Sequence, residues 1–339
     1  MSNYLKVSKI LLAFLGLQLF AAPLIAGDLN KRQDIQQFIQ EMQQKHDFDK
    51  AALEQLFAQT RMQPSIIKAI SRPAERKPWH AYRPIFITQS RIDLGVEFWN
   101  QHAELLKQAQ QQYGVDPEII VGIIGVETRY GRHTGRYRVI DALATLGFDY
   151  PPRSKFFRSE LKHYLLMTRE EKVDPLSLKG SYAGAMGKPQ FISSSFRSYA
   201  IDFDKDGKRD IWNNSADAIG SVANYLARHG WKRGEKITQQ LNLSVSTDQK
   251  LLKEKTLKPA HTIAKLRKKD FLNIDKNIDD NALAAIINLE GKTASEHWLG
   301  LNNFYAITRY NHSALYAMAV YQLAQEIRQR RQSANENDV

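Results

Sequence analysis

Cysteine is absent from the 339 residues. No disulfide, zinc–thiolate site, iron–sulfur cluster, cysteine nucleophile or lipidated cysteine is therefore available. Other signatures are missing too. The nine histidines contain no HExxH zinc motif and no evident metal cluster. There is no GxxxxGK[ST] phosphate loop, and Ser181 does not lie in a G-x-S-x-G elbow. No internal repeat or long low-complexity segment is visible. Acidic residues are outnumbered, 36 against 48 Lys plus Arg, which leaves a net charge of +12. That balance favours anionic partners: nucleic acid, an acidic membrane face or an acidic polymer. The composition, 43% apolar and 25% charged, is that of a globular protein of two or three domains. It excludes a disordered chain and a polytopic membrane protein.

Lys6 and Lys9 precede an uncharged run from Ile10 to Gly27, and Asp28 opens a polar stretch. This pattern predicts a secretory signal over residues 1–26, cut after Ala26. The alternative is an uncleaved membrane anchor, since the run is about long enough to span; Pro23 and the neighbouring alanines favour cleavage. Export to a bacterial envelope, with no recognised nucleic-acid motif, argues against a nucleic-acid partner.

Helical periodicity marks residues 30–70, with Ile35, Phe38, Ile39 and Met42 at i, i+3, i+4 and i+7. Pro73, Pro78 and Pro84 predict an extended connector over 71–84. The periodicity resumes near residue 90. Over 116–131 a helix is predicted with Asp116 as N-cap, Pro117 at its first position and Gly131 at its end. Residues 138–230 read as mainly helical, broken by glycine-rich and aspartate-rich loops. A small α/β subdomain is expected over 233–300, then a last helix over 313–330 and a frayed polar tail over 331–339. The Lys253–Lys269 charge run reads first as a solvated face and second as contact to an anionic polymer.

Four features carry chemistry. Glu127 sits within an isoleucine stripe formed by Ile120, Ile123 and Ile124. Burial and the negative end of the helix dipole both raise a carboxyl pKa, which suits a general acid. The alternative is a glutamate paired with Arg129 or another cation. Residues 179–191, KGSYAGAMGKPQF, space Ser181, Tyr182 and Gln190 among glycines. Such a run fits a loop approached by a ligand, or a close-packed crossing that needs glycine for space. In residues 202–217, Asp202, Asp204, Asp206 and Gly207 match positions 1, 3, 5 and 6 of a calcium loop. The Lys208 carbonyl takes position 7, Asn213 replaces the usual Glu at position 12, and Asp217 closes a longer loop. The bland reading is an acidic turn. The fourth feature is a recurrence of tyrosines near these motifs, suited either to stacking on sugars or to packing.

Taken in order, GVETRYG, SYAGAMGKPQF, DFDKDGKRDIW with DAIGSVANYLARHGW, and NNFYAITRYNHS resemble the lytic murein transglycosylase B family over residues 30–328. The resemblance implies a mainly α fold: a lysozyme-like helical core, an added helical domain and a small β-containing domain. The segments would be 27–85 (N-terminal helical), 86–232 (catalytic), 233–300 (α/β) and 301–330, which completes the core. The implied activity is cleavage of the MurNAc–GlcNAc bond of peptidoglycan with formation of a 1,6-anhydro end. Glu127 would be the single acid and base. Ser181, Gln190, Tyr225, Tyr310, Asn311, Tyr316, Tyr82 and Arg153 would line the glycan groove. Asp202, Asp204, Asp206, Asp217 and the Lys208 carbonyl would hold a structural Ca2+. The implied protein is an exported, periplasmic monomer, retained at the inner membrane only if the signal stays. Its partners would be glycan strands and other cell-wall enzymes, with no organic cofactor and no lipid anchor.

Three departures from the family pattern are visible. Phe156 stands where a groove tyrosine is often found, the calcium loop has one more residue before Asp217 than in some relatives, and there is no cysteine to lipidate. The rival readings are a hydrolytic muramidase with a second carboxylate, for which Asp141 and Asp149 are nearby in sequence, and a non-catalytic peptidoglycan-binding protein.

Overall fold

The computed structural model describes residues 29–71 and 77–337; the expected signal segment lies outside them. The chain is mainly helical. Its centre is the helix Pro117–Thr128, in which every residue but Glu127 is buried. A helix that is apolar on all sides can be stable in water only inside a shell of other elements. The shell is built from the helices Gln89–Gln101, Ala103–Tyr113, Ser215–Arg228 and Ala314–Asn337.

Closest of these is Ala314–Asn337. A Cβ at Gly122 would stand 2.9 Å from the Val320 carbonyl oxygen and 3.2 Å from the Ala324 side chain. Glycine at this position therefore lets the last helix bring its backbone against the central one. The N-terminal helices Gln33–His46 and Lys50–Gln59 pack their Ile35, Phe38, Ile39, Met42, Leu53 and Phe57 into the same core.

Between residues 238 and 300 the chain forms a four-stranded antiparallel sheet. Its order is Thr238–Gln240, Ser295–Gly300, Leu283–Glu290, His261–Thr262. The strand Leu283–Glu290 has two buried faces. Ala284 and Ile286 join a small core with Leu241, Ile263, Leu266, Phe271 and Leu299. Ala285, Ile287 and Leu289 point the other way, into the main helical core. Alternation along the strand thus assigns successive residues to two different cores.

The structure corrects several sequence-based expectations. Proline-rich 71–84 is not wholly extended: Trp79–Phe86 is a helix with Pro84 inside it. Pro78 sits at its N-cap, and Pro84 falls in so short a helix that few backbone bonds are lost. The central helix ends at Thr128 rather than at Gly131, because Arg129 and Tyr130 both take left-handed backbone conformations (φ 52° and 61°) before Gly131. Asp116 holds the N-cap position but its side chain caps nothing. The last helix runs to Asn337, so the expected frayed tail is largely helical. The strand Ser295–Gly300 was not foreseen.

Replacing Gly122 with Val should lower the melting temperature measured by circular dichroism. The added side chain gains some helix propensity but must displace backbone; overpacking of this kind costs about 1–3 kcal/mol. An unchanged melting temperature would show that the two helices have slack at their crossing.

Candidate active site

Glu127 lies in the last turn of the central helix and is half-buried, the only residue of that helix with appreciable exposure. Its Oε1 accepts a hydrogen bond of 2.7 Å from the Tyr316 hydroxyl, 189 residues further along the chain. Burial pushes the Glu127 carboxyl up to about 7, and the Tyr316 bond opposes that rise by favouring the ionised form. No cation offsets the burial. Arg129 turns away to donate to the Ser90 hydroxyl at 2.6 Å, so the alternative Glu127–Arg129 pair does not form.

The tyrosines around Glu127 form one cluster. Tyr310 and Tyr316 lie parallel at 6.4 Å between ring centres. Tyr225 packs on Tyr310 at 4.7 Å and stacks on His229 at 4.0 Å. Phe191 touches both Tyr225 and Tyr310. Burial raises the Tyr310 and Tyr316 phenols far above their ordinary value, and Glu127 nearby adds to this, so both stay neutral donors. Two hydroxyls are committed to backbone: Tyr310 to the Pro189 carbonyl at 2.6 Å and Tyr225 to the Arg309 carbonyl. Those bonds fix the glycine loop and the end of helix Asn302–Tyr310, and leave ring surface rather than hydroxyls to face a ligand.

The glycine loop is held by its own backbone. Gly180 and Phe191 each bridge Met186, and the Ser181 amide donates to the Ala185 carbonyl. A Cβ at Gly180 would stand 2.3 Å from that carbonyl. Glycine here makes space for a tight fold, as one of the two sequence readings had it. Polar capacity survives nonetheless. The Ser181 Oγ accepts from the Ala183 and Ala185 amides and keeps its proton to donate. Gln190 donates through Nε2 to the Gly187 and Thr134 carbonyls and keeps its Oε1 as an acceptor.

Asn311 follows Tyr310 directly and is half-buried at the end of its helix. Tyr82 is buried between Trp79 and Phe86 and lies close enough to affect Tyr316 electrostatically. Arg153 is not joined to this cluster by any described contact. Its guanidinium lies over the Phe156 ring at 4.3 Å.

Thr128 is a contributor that the sequence did not flag. Its buried hydroxyl donates to the Lys188 carbonyl at 2.8 Å and accepts from the Gly131 amide at 3.0 Å. It thereby ties the end of the central helix to the glycine loop. A lone Thr beside a Glu carries no pattern that would have revealed this.

The two nearby aspartates are occupied elsewhere. Asp141 is buried, held by two hydrogen bonds of 2.8 Å from Arg138, and accepts the Arg61 amide. Asp149 pairs with Arg32 at 2.6 Å. Neither is a second acid or base for Glu127.

In the acidic loop, carboxylate oxygens of Asp202, Asp204 and Asp217 all lie within 4.8 Å of one another. Asp217 is buried, and its oxygens accept the Phe203 and Asp210 amides at 2.8 and 2.7 Å. Burial pushes the Asp217 carboxyl up to about 6, and the neighbouring Asp204 and Asp202 charges add to the rise. Three convergent carboxylates in this state fit a hard divalent cation. Asp206 stands outside the trio and accepts the Lys208 amide at 2.9 Å.

Over residues 30–325 the chain matches the family described as Transglycosylase SLT domain. Membrane-bound lytic murein transglycosylase B of Escherichia coli (strain K12) is 44% identical over 313 residues, covering 89% of this chain and 85% of the relative. The soluble lytic transglycosylase SltB1 of Pseudomonas aeruginosa shares 51% identity with a TM-score of 0.82, over 88% of this chain and 99% of that one. The Escherichia coli lytic transglycosylase Slt35, solved in complex with calcium, shares 43% identity with a TM-score of 0.82, over 90% and 96%. The mainly helical, lysozyme-like fold is the one expected from the sequence. The chain belongs to the transglycosylase SLT domain family and is a lytic transglycosylase, an enzyme that degrades peptidoglycan.

Proposed function

We propose that Glu127 is the single catalytic acid and base, and that the reaction ends in a 1,6-anhydro-muramic sugar. The observation that carries this reading is the isolation of Glu127: raised to about 7 by burial, bonded only to Tyr316, and without a second free carboxylate among the sequence candidates. Protonated Glu127 gives its proton to the glycosidic oxygen as the bond to C1 breaks. The 2-acetamido group of the muramic sugar stabilises the cation at C1, as in substrate-assisted glycosidases. Ionised Glu127, now bonded to the Tyr316 hydroxyl, takes the proton of the O6 hydroxyl as O6 attacks C1. No water is consumed, and the glutamate returns to its acid form. An intramolecular nucleophile also gains the advantage of proximity.

In this scheme the free Ser181 proton and the free Gln190 oxygen orient sugar amides and hydroxyls. Asn311 adds a side-chain amide and half-buried Tyr310 offers apolar surface, while Tyr82 and Tyr225, expected from the sequence to meet the glycan, are buried. Arg153, over Phe156, would meet a more distant sugar or its peptide. SltB3 of Pseudomonas aeruginosa, 30% identical with a TM-score of 0.77 over 88% of this chain and 80% of that one, was solved with NAG-anhNAM-pentapeptide. A product of that form is what the scheme yields here.

Ca2+ would be held by Asp202, Asp204 and Asp217, with the Lys208 carbonyl as a further donor, and would neutralise the repulsion among the carboxylates. Its role is structural: Asp217 opens the helix Ser215–Arg228, which carries Tyr225. Residues 233–300 would form the small domain, and the leader over 1–26 would direct export to the periplasm. Among the described residues no helix is long and apolar enough to cross a membrane.

Glu127→Gln should abolish release of anhydro-muropeptides from purified peptidoglycan, a loss of at least about 10²–10⁴-fold, yet still bind glycan. Mass spectrometry of the soluble products checks this; near-normal lysis would sink the assignment.

The rate on limiting substrate should fall as pH rises through about 7, where Glu127 loses its proton. Tyr316→Phe removes a bond that favours the ionised carboxylate, so the fall should move to higher pH. A pH profile shifted downward, or not at all, would contradict the pairing.

Chelation should lower the melting temperature, and added Ca2+ should restore it. At a free concentration of 100 times Kd the ion contributes about 2.7 kcal/mol. Asp204→Asn should blunt the response; a wild-type melting curve insensitive to Ca2+ would exclude a structural ion.

A further inference from the structure

Two clefts adjoin the helix Asn302–Tyr310 on its open side. The larger, of about 850 Å³, lies between that helix and the small sheet; Lys232, Lys236, Asn277, Asn281, Asn302 and Tyr305 are among its walls. The smaller, of about 430 Å³, is walled by Lys255, His312 and Ser313. Lys258 and Tyr305 line both, so the two are continuous. The smaller one ends at the turn that holds the catalytic tyrosine. The Ser313 amide donates to the Asn311 carbonyl, and the Ser313 Oγ accepts the Tyr316 amide.

Helix Asn302–Tyr310 buries Asn303, Phe304, Ala306, Ile307 and Thr308 and turns its other side to this cleft. There Tyr305 is half-buried, its hydroxyl makes no hydrogen bond among the described residues, and the Arg309 guanidinium lies 5.9 Å from its ring. An aromatic face with a free hydroxyl among side-chain amides suits an amino sugar. The charges identify the polymer further. Lys236 is paired with Asp275 and Lys232 with Glu235, all four on the wall of the cleft, while Lys258 is exposed and unpaired. Asp279 lines it as well. A wall on which the two signs balance offers a polyanion such as nucleic acid no net attraction. It accommodates a neutral sugar chain whose peptide branches carry both carboxylates and amines. Each volume is within the range of about 300–1,000 Å³ typical of ligand sites.

We infer that this cleft is a second peptidoglycan-binding site, ending at the turn that precedes Tyr316, in which a stem-bearing strand passes Tyr305 and Lys258 onto the small sheet. The inference rests on the proposed glycan groove at Glu127. It gives the sheet between residues 238 and 300 a function: it lengthens the stretch of strand the enzyme holds.

The test compares KM and kcat for peptide-bearing glycan strands and for a tetrasaccharide too short to reach the cleft. Lys258→Glu and Tyr305→Ala should each raise KM for the long strands about tenfold, the size of one lost charge-assisted or stacking contact, with kcat kept. Neither should alter the kinetics of the tetrasaccharide. Enzymatic removal of the stems should abolish the Lys258 effect and spare that of Tyr305. Lys258 is exposed, so its variant folds whatever happens at Tyr305. Unchanged KM for long strands in both variants, or equal losses on both substrates, overturns the inference. Wild-type enzyme that binds long strands more tightly than the tetrasaccharide but releases no anhydro ends would remove the reading of Glu127 and leave this one standing.

Discussion

The partial withdrawal of Glu127 from water, with a single phenolic hydroxyl as its partner, is the constraint around which the molecule is arranged. A carboxyl remains protonated near neutral pH only where the charged form is poorly solvated. That requires a helix apolar on every side, and such a helix requires a full shell. The shell in turn requires close approach at Gly122, where the last helix presses its backbone onto the central one. The same last helix delivers Tyr316. Packing and chemistry are thus served by one helix–helix contact.

The tyrosines of the site divide their work in a way that residue type alone does not disclose. Tyr225 and Tyr310 spend their hydroxyls on the carbonyls of Arg309 and Pro189. They act as struts, and a strut with a flat face can also carry a sugar. Tyr316 alone directs its hydroxyl to the carboxylate. Thr128 completes the frame by closing the helix end onto the glycine loop. Apart from the local Gly131–Thr128 bond, these bonds join segments distant in sequence, so the site exists only in the folded chain.

That distance decides what could be read beforehand. Glu127 was legible because its setting is local: the isoleucines that bury it lie within two turns of its own helix. The convergence of Asp202 and Asp204 was legible because alternate positions before a glycine turn dictate it. The exclusion of Asp206 from the trio was not, because it follows from one amide bond to Lys208. The Glu127–Tyr316 bond spans 189 residues; the resemblance to a family brought in Tyr316 only as a groove residue, and the bond itself was not legible. The helix at Trp79–Phe86 was hidden by prolines that happen to fall where a short helix tolerates them. Strand Leu283–Glu290 was not legible as a strand within the expected α/β subdomain, since burial on both faces erases the alternation that marks one.

A single carboxylate that serves as acid and then as base needs an environment that suits both of its forms. Burial alone would favour the neutral acid and leave the carboxylate, once formed, without support. A cation in place of Tyr316 would do the reverse, holding the group ionised at rest and unable to donate. A neutral hydroxyl lies between these limits. It bonds to either form, more strongly to the charged one, and it adds no charge of its own. Burial of Tyr316, with Glu127 beside it, keeps that phenol from ionising. In the proposed scheme one carboxylate can therefore serve both steps because its partner, Tyr316, is neutral and stays so.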